Sequence, residues 1–329
     1  MKQQSSVMKQ GLCVLMAVLG AGAAGAAMAQ GNYPNKAVRI IVPFPPGGSN
    51  DIVARFLAKD LSDSLRQQFL VDNRGGASGA IGADAVAKAA PDGYTLMVHS
   101  TSHLSNAFVN TKLPYDTLKD FEPIALLAAQ PSALIVSPGT PAKTVKEFIA
   151  LAKSRPGQIT YASNGEGGNL HVQMALFASM AGIQLIHVPY KGGAQMTTAL
   201  LANETQSAVS TIGAVLGQIQ AGKLPALGVT SARRSTLLPN VPTIAESGLP
   251  GYDINAWIGA FAPAGTPKPV VDRLHTEIEK FLKKPELAKQ MADQGVEPWP
   301  ATQQEFASRL KTDYEQLQRV FKIIAKPAG

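Results

Sequence analysis

The residues best suited to chemistry sit in glycine-rich turns. The run Val42-Pro43-Phe44-Pro45-Pro46-Gly47-Gly48-Ser49-Asn50-Asp51 pairs two glycines, which let a backbone pass close to a ligand, with three residues able to cap a helix. The N–H groups that open such a helix have no intrahelical partner and carry the positive end of its dipole. A turn of this kind cradles an anion. It would equally serve as an ordinary βα turn, and both readings stand on this stretch alone. This turn matches neither G-x-x-x-x-G-K-[ST] nor G-x-G-x-x-G, so the cradle is not of the nucleotide type. Similar polar turns recur at His99-Ser100-Thr101-Ser102-His103, at Ser163-Asn164-Gly165-Glu166-Gly167-Gly168-Asn169 and at Pro189-Tyr190-Lys191-Gly192-Gly193. A rival chemistry would assemble His99, His103, His171 and His187 with Ser49 and Asp51 into a secreted hydrolase. Against it, the chain has no G-x-S-x-G elbow and no H-E-x-x-H pair, and the histidine spacings match no metal motif.

These turns need strands before them and helices after them, and the chain supplies both. Val38 to Val42 is β-rich and apolar, while Ile52, Val53, Phe56, Leu57, Leu61 and Leu65 recur at helical spacing, with Ser49, Asn50 or Asp51 as the expected cap. Strands are expected at 69–71, 94–98, 134–136, 159–162, 185–188, 208–211, 227–230 and 257–261, most of them followed by helical patterns. Thr144-Val145-Lys146-Glu147 and Thr302-Gln303-Gln304-Glu305 read as capping boxes, and Thr266-Pro267 as a helix start. Alternation of this kind predicts an α/β protein, and polar groups at strand C-termini are well placed for a ligand. Val188-Pro189-Tyr190, followed by two glycines, echoes Val42-Pro43-Phe44.

Residues 1–29 differ from the rest. Lys2 and Lys9 are their only charges, a Gly/Ala-rich apolar segment runs from Gly11 to Met28, and Ala27-Met28-Ala29 precedes Gln30. This predicts a cleavable secretory signal peptide and a soluble product in an exported compartment, rather than a membrane anchor. Cys13, the single cysteine, lies inside that segment, so the product should lack disulfides, cysteine–zinc sites and thiol nucleophiles. An apolar fraction of 45% supports a real core. Removing Lys2 and Lys9 lowers the formal charge from +7 to +5, spread along the chain without a basic stripe, which argues against nucleic acid.

Strand–turn–helix units whose helix N-termini face one crevice describe a clamshell, with extended runs near 129–136 and 256–263 as its hinge. Such a cleft can hold a carboxylate without a formal countercharge. Micromolar affinity is about −8 kcal/mol, hydrogen bonds to a charged group contribute about 1.5–3 kcal/mol each, and a helix terminus adds roughly 1 kcal/mol.

The chain resembles the Bug-type periplasmic solute receptors, the substrate-binding components of tripartite tricarboxylate transporters. The resemblance rests on PFPPGGSND, NRGGASGAIGADAVAKAAPDGYTL, LPYDTLKDFEPIA, YASNGEGG, HVPYKGG, LPNVPTIAESGLPGY and WIGAFAPAGTP, in order along the mature chain. It implies a two-lobed, type II periplasmic-binding-protein fold that closes on a small carboxylate, without cofactor or metal. The expected partner is a set of membrane transporter subunits and the expected state a monomer; a ligand-loaded receptor that signals to a membrane sensor is the alternative. Its implied division is lobe 1 at 30–133 plus 256–329 and lobe 2 at 134–255. Its implied contacts are Phe44 as an apolar wall, Gly47, Gly48, Ser49, Asn50 and Asp51 at the cradle, and Ser100 and Thr101 at a strand end. The second lobe would add Ser163, Asn164, Gly165 and Gly168, with Pro189, Tyr190 and Lys191 at the rim and Thr211 near the floor. Asn50 stands where the family usually has threonine, and Gly75 where proline is frequent. Glu166 is expected to face outward as a solvated charge; facing inward it would favour an amino acid.

Overall fold

The computed structural model describes residues 33–110, 112–166, 168–190 and 192–324; the expected signal peptide and Lys191 lie outside these residues. The chain first lays down β1 (Val38–Val42), α1 (Ser49–Leu65), β2 (Phe69–Asn73), α2 (Ala80–Ala87), β3 (Thr95–Ser100), α3 (Ser102–Val109) and β4 (Phe121–Gln130). It then forms β5 (Ser132–Val136), α4 (Val145–Ser154), β6 (Ile159–Ser163), α5 (Asn169–Ala181), β7 (Leu185–Pro189), α6 (Gly193–Leu201), β8 (Ser207–Thr211), α7 (Ile212–Gln220) and β9 (Ala226–Val229). It returns through β10 (Ala256–Pro263), α8 (Lys268–Leu282), α9 (Pro285–Ala292), β11 (Glu297–Pro298) and α10 (Gln303–Ile324).

Two sheets result, ordered β11-β4-β10-β3-β1-β2 and β7-β6-β8-β5-β9. In the first, β1 runs parallel to β2 and β3, and β10 lies antiparallel between β3 and β4. In the second, β6 runs parallel to β7 and β8, and β5 lies antiparallel between β8 and β9. Both lobes thus place three parallel strands beside an antiparallel one, so in each lobe the turns after the parallel strands emerge on one edge. The sequence patterns behind this are direct. In β1 every residue but Arg39 is buried, as expected of a strand covered on both faces. Helix α1 buries Val53, Ala54, Leu57, Ala58, Leu61 and Leu65, one apolar stripe. Helix α10 packs on α3 and β4 of the first lobe and also on α5 of the second, so the C-terminal helix touches both.

Three local expectations are corrected. The N-cap of α1 is Gly48, and Ser49, Asn50 and Asp51 form its first turn with no side-chain cap; the carboxylate of Asp51 reaches back past the cap to accept from Gly47 N at 2.9 Å. Thr266 donates its hydroxyl to Pro263 O, and α8 starts at Lys268 with proline in its first turn. The run at 256–263 is not a crossover: β10 is wholly buried and paired with both β3 and β4, so the return crossing comes before it, next to Asn255. The outward crossing is Pro131, whose carbonyl accepts from Ile212 N. The two capping boxes form as expected, with Glu147 N on Thr144 Oγ1 and Glu305 N on Thr302 Oγ1. The echo of Pro43-Phe44 in Pro189-Tyr190 is one of sequence alone. By position in its sheet β6 is the counterpart of β1, and β7 that of β2.

Candidate functional site

The parallel strands of both lobes end at a shared cavity of about 290 Å³. Lobe 1 contributes Ser100 at the end of β3 and Thr101 and Ser102 at the opening of α3. Lobe 2 contributes Asn164 after β6, Asn169 and Leu170 in the first turn of α5, Gly193 at the start of α6, and Thr211, the N-cap of α7. Gln130 and Ala256, paired across β4 and β10, form the wall at the hinge. Helix N-termini from both lobes therefore converge on one space, and none of the residues named as its lining is charged. The four histidines add no charge at neutral pH. Burial, followed by the neighbouring His103, holds His99 far below its ordinary range. Burial lowers His103 to about 4. Burial together with His187 lowers His171 to about 4, and burial also lowers His187, against the pull of Glu166. The arrangement offers free N–H groups, hydroxyls and amides, a chemistry suited to an anion held by dipoles.

Of the expected contacts, Ser100, Thr101, Asn164 and Thr211 line this cavity. Thr101 Oγ1 accepts from Trp257 N at 2.9 Å, so that hydroxyl also fastens β10 to the start of α3. Ser49 lies behind the wall, where its Oγ accepts from Gln130 Nε2 at 2.8 Å. The carboxylate of Asp51 is turned away into the turn. Oδ2 takes Gly47 N and Arg55 Nε, and Oδ1 takes Asn73 Nδ2, each at 2.9 Å. Gly47 sits at φ +87°, a left-handed conformation that favours glycine, and Gly48 is exposed. Asn50 Oδ1 is buried without a partner. Phe44 packs edge-on against the His99 ring at 5.2 Å.

In the second lobe Ser163 is fully buried. Its Oγ accepts from Gly165 N at 3.1 Å and meets His187 Nε2 at 2.6 Å, which makes it the pin of the loop rather than a cleft surface. Gly168 caps α5, and a Cβ there would lie 2.6 Å from Asn164 Oδ1. Gly165 adopts φ +116°. Tyr190 N is tied to Ser163 O at 3.0 Å, Pro189 is exposed at the rim, and Glu166 is exposed. The residues that sequence reasoning passed over are Ser102, Gln130, Asn169, Leu170, Gly193 and Ala256. Ser102, Asn169 and Gly193 stand in turns already singled out. Gln130 and Ala256 carry no local signal, because the strand register places them.

The sequence model described as the tripartite tricarboxylate transporter family receptor matches residues 53–327. The chain belongs to this family. Protein BugT of Bordetella pertussis is 37% identical over 294 residues, covering 88% of this chain and 90% of BugT. Among solved receptors, Rpa4515 of R. palustris with adipate is 33% identical with a TM-score of 0.73, over 89% of this chain and 98% of that one. MatC (Rpa3494) of Rhodopseudomonas palustris with bound malate is 30% identical with a TM-score of 0.68, over 89% and 100%. The fold expected from the resemblance, two α/β lobes around a cleft, is that of this receptor family. Family and fold are those of periplasmic solute-binding proteins. Among the described residues no helix is long and apolar enough to cross a membrane.

Proposed function

We propose that this receptor captures a small dicarboxylate between its lobes in the periplasm and delivers it to a tripartite tricarboxylate-type membrane transporter. The observation that carries the reading is the cavity onto which helix N-termini of both lobes open, with no charged residue among its described lining. The adipate and malate found in two relatives are both dicarboxylates of a size such a space accommodates. One carboxylate would meet the start of α3 with Ser100 and Ser102, and the other the starts of α5 and α6 with Asn164 and Asn169. A ligand that touches both lobes binds the closed form better than the open one, and so selects it. Residues 1–29 would direct export, and Gly47, Gly48 and Ser49 would support the cleft from behind Gln130. A hydrolytic reading gains nothing from the geometry, since Ser49 is engaged by Gln130 and Asp51 by Gly47, Arg55 and Asn73.

The test is a thermal-shift screen of protein unfolded and refolded to strip any carried ligand. The panel is C4 to C6 dicarboxylates, citrate, benzoate and glutamate, each beside its amide. At 100 times the dissociation constant a ligand adds about 2.7 kcal/mol of stability. Stabilisation by a diacid but not by its diamide, lost in Thr211→Val, is the expected result. No shift from any dicarboxylate, whatever benzoate does, refutes the reading. Scattering that shows equal compactness with and without a stabilising diacid refutes the closure step.

A further inference from the structure

A second cavity, of about 400 Å³, lies behind the hinge. Its position follows from strand geometry. Ala129 lines it while the next residue, Gln130, lines the cleft; Asn255 lines it while the next residue, Ala256, lines the cleft. Successive residues of an extended chain face opposite sides, so the two spaces stand back to back across the crossings. The walls of the rear cavity come from both lobes, with Arg233 and Arg234 on the loop after β9 and Trp299 and Arg309 on the segments around β11 and α10.

Three arginines and two carboxylates, Asp253 and Glu297, line it. Once Glu246 and Asp313, the partners outside the lining, are counted there is no excess of positive charge, but the three arginines are not equally paired. Arg309 pairs with Asp253 at 3.1 Å and Asp313 at 2.8 Å, and Arg234 with Glu246 at 3.1 Å. Glu297 Oε1 is taken up by Ser235 Oγ, Thr236 N and Thr236 Oγ1, each at 2.7 Å. The guanidinium of Arg233 enters no ion pair among the described residues; Glu305 feels its charge without pairing with it. The half-buried Trp299 ring lines the same cavity with Pro298 and Ala129, and the Arg309 guanidinium lies over one of its faces at 5.2 Å. Such a cation and an aromatic ring lining one space, itself large enough for a further ring, recognise a planar acid.

We propose that the rear cavity is a second ligand site, taking a small aromatic carboxylate whose anion meets Arg233 and whose ring lies on Trp299, and that its occupancy resists opening of the cleft. Opening the front of a hinge narrows its back, so an occupant wedged between the loop after β9 and Trp299 opposes that motion and favours the closed form. The proposal does not depend on which acid the cleft takes.

Benzoate is the probe. The chain has two tryptophans; Trp257 is fully buried and bonded to Asp313, whereas Trp299 lines the cavity. A benzoate titration followed by tryptophan emission should saturate in wild type, vanish in Trp299→Phe and weaken at least about tenfold in Arg233→Gln, the loss of one charge-assisted hydrogen bond. It should be unchanged in Thr211→Val, whose substitution lies in the cleft. No saturable change in wild type, equal affinity in Arg233→Gln, or loss in Thr211→Val would each overturn the site. Ala232→Trp, which fills the cavity from an exposed position, should lower the radius of gyration in scattering without any ligand. An unchanged or larger radius overturns the coupling to the cleft.

Discussion

Replacing Asp51 by asparagine asks whether the opening turn is held by this buried carboxylate. The side chain accepts three hydrogen bonds at 2.9 Å and is 3% exposed. Burial pushes the carboxyl up, but the bonds from Arg55, Gly47 and Asn73 outweigh it and hold the group below the ordinary aspartate range. An asparagine can keep its carbonyl toward Gly47 and Arg55, yet it then sets an NH2 against Asn73 Nδ2. Asn73 cannot simply turn over, because the same nitrogen donates to Phe44 O and its oxygen takes Arg55 Nη2. One charge-assisted bond is lost outright, about 1.5–3 kcal/mol, the bond from Gly47 N becomes neutral, and the bond from Arg55 keeps only the charge of its cation. The Arg55 contribution is discounted because that side chain is 54% exposed. The expected loss is about 2–3 kcal/mol at pH 7, read from urea unfolding followed by circular dichroism. The sign of its pH dependence follows from the depressed folded pKa. The stabilisation is present above the unfolded pKa and is lost as pH falls through the folded one, so wild type and Asp51→Asn should converge in acid. A variant within about 0.5 kcal/mol of wild type at pH 7, or a gap that persists unchanged in acid, refutes the reasoning.

Gly79→Ala should cost about 2 kcal/mol or more in the same unfolding assay, since φ is +96° and the new Cβ would lie 2.6 Å from Nε2 of the fully buried His99. His103 and His171, lowered to about 4 in the folded chain, take up protons on unfolding between about pH 6.5 and pH 4. Stability should therefore fall as pH drops through that window, by up to about 1.4 kcal/mol per pH unit for each group; melting temperatures that stay flat from pH 7 to pH 4.5 contradict this. Arg309→Met leaves the buried Asp313 and the neighbouring Asp253 without their shared cation. It should cost about 3–5 kcal/mol, measured by chemical unfolding at pH 7, and a loss under about 1 kcal/mol would show that α10 does not brace the return crossing through this residue.

The sequence by itself determined the local architecture. The strand at 38–42, the glycine-rich turns, the capping boxes at Thr144 and Thr302 and the α/β alternation all arise from interactions within a few residues, and the structure shows each of them. It also limited the chemistry, because the residue types in the turns offer N–H groups and hydroxyls but no nucleotide or metal motif. Which turns share one cavity was decided only by tertiary structure. Gln130 reaches Ser49 from 81 positions away, and Thr101 meets Trp257 across 156. Neither pairing leaves a trace in local spacing, since each depends on the order and register of strands in the first sheet. The cap of α1 passed to Gly48 for the same reason, once Asn73 and Arg55 had fixed the direction of Asp51. That Arg233 enters no ion pair among the described residues is likewise a tertiary outcome: Asp253, Glu297 and Glu246 are taken up by other residues, and that distribution of partners exists only in the folded chain.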